Sequence, residues 1–121
     1  MENHKLVLPQ HLNHYGFLFG GYLLMWVDEI AWIAATREFP DCLFVTIGMD
    51  RVEFKRGAQN GAILTFRTER TRVGRTSVTY AVTVHREDEE IFSTRVTLVR
   101  VDESGEKIPI PDPGDGGSQQ G

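Results

Sequence analysis

The chain has 121 residues and a formal net charge of −4. This length suits one domain with a single core, and the acidic balance argues against nucleic-acid or membrane partners, since both need a net basic surface. The single cysteine, Cys42, excludes an intrachain disulfide and fits a reducing compartment. We therefore expect a soluble cytoplasmic protein, and the N-terminus lacks the pattern of a signal peptide.

The first part of the chain predicts one strand and one long helix. Alternating residues predict a strand over His4–Leu8, followed by a loop over residues 9–16. An apolar stretch without proline then predicts a helix from about Leu18 or Gly20 to about Arg37, because the stretch is too long for an ordinary strand.

Two acidic residues, Asp28 and Glu29, interrupt this apolar helix. A helix that is apolar on nearly every side is normally buried. Burial of an ionised carboxylate costs several kcal/mol unless the group is paired, hydrogen-bonded or protonated. One of the two acids therefore needs a partner or a function.

The second part of the chain alternates with a period of two, which predicts four antiparallel strands joined by short turns. These strands are Phe44–Phe54, Ile63–Thr71, Thr76–Val84 and Ile91–Val101, with a charged turn over His85–Glu90 before the last of them. A change in the parity of the apolar residues predicts a β-bulge near Asp50-Arg51. A sheet with one apolar face needs one cover, and the long helix is the only candidate.

The C-terminal end is rich in proline and glycine. Its composition cannot support a core. We therefore divide the chain into a folded domain, residues 1–110, and a disordered tail, residues 111–121.

Three stretches of the chain carry a resemblance to a known family. They are Asn13-x-x-Gly16-x-Leu18-Phe19-Gly20-Gly21 followed by Asp28, then Val45-Thr46 with Val52-x-Phe54, and Arg72-Val73-Gly74-Arg75-Thr76-Ser77. In these residues the chain resembles the acyl-CoA thioesterases of the hotdog fold, and most of all the single-domain bacterial acyl-CoA hydrolases. The resemblance covers roughly residues 4–110.

The resemblance implies an α+β hotdog domain, in which a curved antiparallel sheet wraps around one long central helix. It also implies a homodimer, and similar bacterial proteins assemble further, to hexamers or tetramers. The implied activity is hydrolysis of the thioester of acyl-coenzyme A, without a cofactor.

Thioester hydrolysis needs a base or nucleophile and N–H donors where the oxyanion develops. Asp28 supplies the base or attacks directly, and Gly20 and Gly21 supply N–H groups at the helix start. Eight residues separate Gly20 from Asp28, or about 12 Å of helix. One carbonyl cannot reach both on the same helix, so we predict two active sites shared between antiparallel helices of a dimer.

Other residues complete the predicted site. Asn13 orients the substrate carbonyl or the attacking water, and Thr46 hydrogen-bonds the water or Asp28. The resemblance assigns coenzyme A binding to the turn that contains Arg72, Gly74, Arg75, Thr76 and Ser77. We interpret a second basic pair, Lys55-Arg56, as solvated turn charges.

Two other functions stay open. A hotdog dehydratase or hydratase uses a loop His and a helix Glu, for which His14 and Glu29 are the candidates, although the spacing fits a thioesterase better. A non-catalytic acyl-CoA sensor would bind the ligand without turnover. His11 and His14 have no acidic or thiol companions at ligand spacing, so we expect no metal.

Overall fold

The structure, a computed structural model, describes residues 1–111. Five strands form one antiparallel sheet in the order β1-β3-β4-β5-β2. The elements are β1 (Glu2–Leu6), a 3-10 turn (Pro9–His11), α1 (Gly20–Glu38), β2 (Leu43–Phe54), β3 (Ile63–Val73), β4 (Ser77–Arg86) and β5 (Glu89–Val101). The predicted tail, residues 111–121, falls outside the described residues apart from Pro111.

The helix α1 covers one face of the sheet. Alternate side chains of the three central strands point towards it and are buried: Leu64, Phe66, Val78, Tyr80, Val82, Val84, Phe92, Val96 and Leu98. On the helix, Ala31, Ala34 and Ala35 are buried as well, and their small side chains let the backbone approach the sheet closely. The α+β hotdog arrangement that the resemblance implied is thus confirmed.

The predicted bulge in β2 is also confirmed. The register with β5 shifts between Asp50 and Glu53, and Arg51 adopts a positive φ of 53° at this point. A second irregularity, between Thr46 and Gly48, was not predicted. Apolar residues do not change parity there, so the sequence pattern carries no sign of it.

The predicted bounds of β1 are wrong by two residues. The strand spans Glu2–Leu6 rather than His4–Leu8, because its ladder with β3 begins at the pair Glu2 and Arg67, where the Arg67 Nε also donates to the Glu2 carboxylate at 3.0 Å. At the other end, the N–H of Leu8 donates to Nδ1 of His11 in the 3-10 turn. Apolar alternation alone cannot detect an ion pair across strands.

The predicted charged turn over His85–Glu90 is also shorter than expected. β4 continues to Arg86 and β5 starts at Glu89, which leaves only two residues between them. Arg86 donates to the Glu89 carboxylate at 2.8 Å, and the intervening Glu87 takes a positive φ of 55°. A two-residue turn of this kind suits the twist of a hairpin.

Apolar side chains remain exposed along β2 and on the adjacent side of α1. Val45 and Ile47 on β2 are 46% and 55% exposed, and Met25 and Trp32 on α1 are 54% and 44% exposed. β2 is also an edge strand of the sheet, with unpaired backbone groups. Separately, no helix within residues 1–111 is long and apolar enough to span a membrane.

Candidate active site

Asp28 lies in the middle of α1 and is joined to β2 by a hydrogen bond. The Thr46 hydroxyl donates to Oδ1 of Asp28 at 2.5 Å. Within residues 1–111 the structure shows no hydrogen bond or ion pair to the second oxygen, Oδ2. Thr46 therefore fixes the orientation of the carboxylate while Oδ2 stays able to accept a proton or to attack a carbonyl carbon.

Asn13 organises the loop before the helix. Its Oδ1 accepts the N–H groups of Tyr15 at 2.9 Å and Phe17 at 3.1 Å, and its own N–H donates to the Phe17 carbonyl at 2.7 Å. The loop closes through Gly16, which has a φ of 86°. The Asn13 side-chain NH2 group makes no hydrogen bond within the described residues, so it can donate to a substrate oxygen.

Gly20 and Gly21 open α1 with free backbone donors. The N–H groups of Tyr22 and Leu23 turn back to the Phe19 carbonyl, whereas those of the two glycines find no acceptor in the described part of the chain. Helix N-terminal N–H groups attract negative charge through the helix dipole. The arrangement can therefore stabilise an oxyanion.

A cavity of about 300 Å³ adjoins Gly20. Its apolar wall includes Leu18, Leu23, Phe54 and Ile91. The Phe54 ring lies 3.3 Å from where a Cβ of Gly20 would stand, so the glycine brings the ring close to the donors. The role of Phe54 at this cavity was not predicted, because only the fold brings the end of β2 next to the helix start.

The two cations that line this cavity, Lys55 and Arg56, are already paired. Lys55 binds Glu90, which raises the pKa of the lysine, and Arg56 donates to Glu89 at 3.1 Å. Arg86, and then Arg56, hold the pKa of Glu89 below its usual range. These cations therefore neutralise neighbouring carboxylates rather than standing free for an anion.

The turn between β3 and β4 presents unpaired cations. Arg72 and Arg75 are exposed, and neither makes an ion pair with another residue of the described range. The turn is tight: the Gly74 N–H donates to the Ser77 carbonyl at 2.8 Å, and a Cβ on Gly74 would lie 2.9 Å from the Ser77 hydroxyl. Two guanidinium groups on a compact turn suit phosphate oxygens.

The structure brings some of these predicted residues together and separates others. Thr46 pairs with Leu98, which pairs with Val78, next to the β3–β4 turn. Asp28, which Thr46 contacts, therefore lies near the same end of the sheet as the β3–β4 turn. Gly20 instead packs at Phe54, the opposite end of β2. Within one chain, the acid and the oxyanion donors therefore face different regions.

The loop histidines are used structurally. His11 accepts the N–H of Leu8 on its Nδ1, and its ring packs edge-on against Trp26 at 4.8 Å between centroids. His14 packs against Tyr15. Within residues 1–111, no three His, Cys, Asp or Glu side chains converge as a metal site would require.

Comparison with known sequences relates this site to one family. The family profile of the thioesterase superfamily matches residues 15–93. The "uncharacterized acyl-CoA thioester hydrolase YkhA" of Bacillus subtilis is 32% identical over 113 residues, which cover 87% of this chain. Acyl-coenzyme A thioesterase 11 of Mus musculus is 34% identical over 84 residues, 69% of this chain. The chain spans 64% of the length of the bacterial relative and 14% of the mouse one.

Solved structures agree in fold. An apo-hexameric acyl-CoA thioesterase is 37% identical and superposes with a TM-score of 0.84, covering 92% of this chain and 74% of that one. An acyl-CoA hydrolase from Staphylococcus aureus, solved with butyryl coenzyme A, coenzyme A and coenzyme A disulfide, is 27% identical. Its TM-score is also 0.84, with 92% of this chain and 71% of that chain covered.

Proposed function

Because the chain belongs to the thioesterase superfamily, we propose that it hydrolyses the thioester of acyl-coenzyme A to a free acid and coenzyme A. The observation that carries the proposal is the hydrogen bond from Thr46 to Asp28, which orients an acid in an otherwise apolar helix and leaves one of its oxygens free. The S. aureus neighbour, solved with butyryl coenzyme A, supports the choice of substrate class. We place the activity in the cytoplasm.

The proposed reaction begins with attack on the thioester carbonyl carbon. Asp28 takes a proton from water as the water oxygen attacks, or attacks the carbon itself and forms a mixed anhydride that water then opens. In either route the carbonyl π electrons move to oxygen, and the backbone N–H of Gly20, with that of Gly21, stabilises the oxyanion. The carbonyl then re-forms as the C–S bond breaks and coenzyme A leaves as a thiolate, which in the second route precedes the attack of water on the anhydride; neither route uses a metal or cofactor.

Asn13 has a positioning part in this proposal. Its Oδ1 is held by two backbone N–H groups of its own loop, so its NH2 group has a defined direction next to the helix start. An N–H donor placed there can align the carbonyl oxygen or the water before attack.

The site is completed by a second copy of the chain. Within one helix Gly20 and Asp28 lie about 12 Å apart. In a two-fold dimer with antiparallel helices, Gly20 of one protomer approaches Asp28 of the other. The exposed Val45, Ile47, Met25 and Trp32 supply an apolar surface for that contact. Because the 37% identical neighbour is hexameric, we further propose that the dimers assemble to a hexamer.

The β3–β4 turn binds the phosphate-bearing part of coenzyme A in this proposal. It carries the unpaired Arg72 and Arg75, the Gly74 backbone, and the hydroxyls of Thr76 and Ser77. An acidic protein needs such a local cationic surface to hold an anionic substrate. The turn lies on the Asp28 side of the sheet, so the acid and the turn serve the same substrate.

The test is thiol release from acyl-CoAs of increasing chain length, for the parent, Asp28→Asn and Glu29→Gln. Glu29 is the neighbouring exposed carboxylate and serves as the matched control. We expect Asp28→Asn to lower kcat at least about a hundredfold and Glu29→Gln to lower it less than about threefold. Binding of acyl-CoA without turnover by the parent would indicate a sensor instead. An equal loss of kcat in both variants would show that Asp28 is not the base or nucleophile.

A further inference from the structure

The segment that follows β5 turns back on the sheet. The Asp102 carboxylate closes the reversal, since its Oδ1 accepts the N–H groups of Ser104 at 2.9 Å and Glu106 at 3.0 Å. Gly105 takes a φ of 89° within it. The Asp102 N–H in turn donates to the Glu106 carbonyl at 2.9 Å. Residues 107–110, which we name the C-terminal strap, therefore start from a fixed point.

The strap then runs antiparallel to the end of β5. Lys107 forms an isolated bridge with Val101, and the Ile108 N–H donates to the Arg100 carbonyl at 3.0 Å. The Arg100 guanidinium donates to the Pro109 carbonyl at 2.8 Å. Arg100 thus holds two successive residues of the strap, Ile108 through its backbone and Pro109 through its side chain.

The strap ends on the β3–β4 turn. The Ile110 N–H donates to the Arg75 carbonyl at 2.8 Å, and the Ile110 side chain packs against the core. The Arg100 N–H donates to the Thr76 carbonyl, also at 2.8 Å. Two consecutive carbonyls of the turn are therefore tied, one to the strap and one to the β5 residue that anchors the strap.

We propose that the C-terminal strap is a positioning element that holds the β3–β4 turn in the conformation that binds the phosphates of coenzyme A. This inference rests on the proposed function of that turn. Arg72 and Arg75 are exposed and make no ion pair within residues 1–111, so their side chains add nothing to the Gly74–Ser77 hydrogen bond that closes the turn. A loop that is ordered in advance binds more tightly, because binding then costs less conformational entropy.

The test deletes the strap's last donor. Ile110→Pro removes one N–H and keeps an apolar side chain, while Ile110→Val keeps both and is the matched control. Each is assayed with an acyl-CoA and with the corresponding acyl-pantetheine, which has the same thioester without the nucleotide phosphates. For Ile110→Pro we expect the KM for acyl-CoA to rise about tenfold with kcat unchanged. The KM for acyl-pantetheine should stay the same.

A general loss of structure would give a different pattern. It would raise KM for both substrates or lower kcat, and this outcome would overturn the inference, as would an unchanged KM for acyl-CoA. Arg100→Gln, which removes the side-chain tie to Pro109, provides a second variant if Ile110→Pro does not fold, and the same split between the two substrates is expected.

A failure of the proposed function can be distinguished from a failure of the strap inference. If the parent cleaves no acyl-CoA, the hydrolase assignment fails, and the strap is then tested by calorimetric binding of coenzyme A itself. Weaker binding by Ile110→Pro than by Ile110→Val supports the strap even then. Equal binding overturns it.

Discussion

Aromatic rings lie against the glycines at the start of α1. A Cβ on Gly20 would stand 3.3 Å from the Phe54 ring, and one on Gly21 would stand 2.8 Å from the Phe19 ring. Both rings are 54% exposed. Only Phe54 lines the cavity next to Gly20, so it is the ring that limits the space beside the proposed oxyanion donors.

Phe54→Ala should therefore change the choice of substrate. Loss of the ring enlarges the cavity, and we expect the ratio of kcat/KM for long over short acyl-CoAs to rise at least about tenfold. Phe19→Ala, at a ring of equal exposure that does not line the cavity, should leave this ratio unchanged. An unaltered chain-length profile in Phe54→Ala would show that the acyl group does not occupy this cavity.

At the scale of elements, a buried polar group fastens the end of α1 to the sheet. The Tyr80 hydroxyl on β4 donates to Oε1 of Glu38 at 2.5 Å, and Arg70 on β3 donates to Oε2 at 2.9 Å. Tyr80 is only 2% exposed. Burial raises the pKa of Tyr80, and the Glu38 carboxylate raises it further. The folded protein thus holds the phenol proton more tightly than the unfolded chain does.

The free energy of unfolding should therefore fall at alkaline pH. Below about pH 10, the pKa of a free phenol, both states are protonated and the full stability is present. Above it the unfolded chain ionises first, and stability falls. We expect Tyr80→Phe to lower the free energy of unfolding by about 1–2 kcal/mol at pH 7 and to flatten the alkaline loss. Urea melts of Tyr80→Phe and of the exposed Tyr15→Phe test this, and equal effects would contradict it.

The elements of this fold were predictable where the pattern is local. A long apolar stretch without proline located α1, a period of two in the apolar residues located four strands, and a change of parity located the bulge at Asp50-Arg51. The bounds of β1 depended on Arg67, which lies 65 residues after Glu2 in the chain, so no local pattern contained them. The site divides in the same way: the candidates Asn13, Gly20 and Asp28 lie in one short stretch, whereas the approach of Phe54 required the fold.

At the scale of the molecule, a site shared between two protomers predicts that two inactive variants restore activity when they are combined. Asp28→Asn and Asn13→Ala should each be poorly active. In a mixed dimer of the two variants, one site carries both changes and the other carries neither. Random pairing gives half mixed dimers, so co-expression should restore about a quarter of the parent activity. If each site lay within one chain, mixing would restore nothing.

The measurement is the specific activity of the co-purified mixture, with each variant carrying a different affinity tag. Purification over both tags in turn isolates assemblies that contain both variants. A lone dimer should then reach about half of the parent activity, whereas a hexamer of randomly paired dimers should stay near a quarter. The matched control mixes Asp28→Asn with Asp28→Asn under the second tag, which should stay inactive. Activity of the true mixture no higher than this control would argue that the sites are not shared.

The Thr46 hydroxyl ties the proposed reactive acid to β2, an edge strand that pairs with β5 on one side and has no partner strand on the other within residues 1–111. A molecule that binds along Leu43–Met49 would take the place of the partner protomer and disturb this hydrogen bond, although it need not resemble a thioester. Acyl-CoA bound across the two protomers would favour the dimer and so oppose this molecule. Inhibition at this edge would therefore weaken as the protein concentration rises, because a higher concentration favours the dimer, in contrast to inhibition by analogues of coenzyme A.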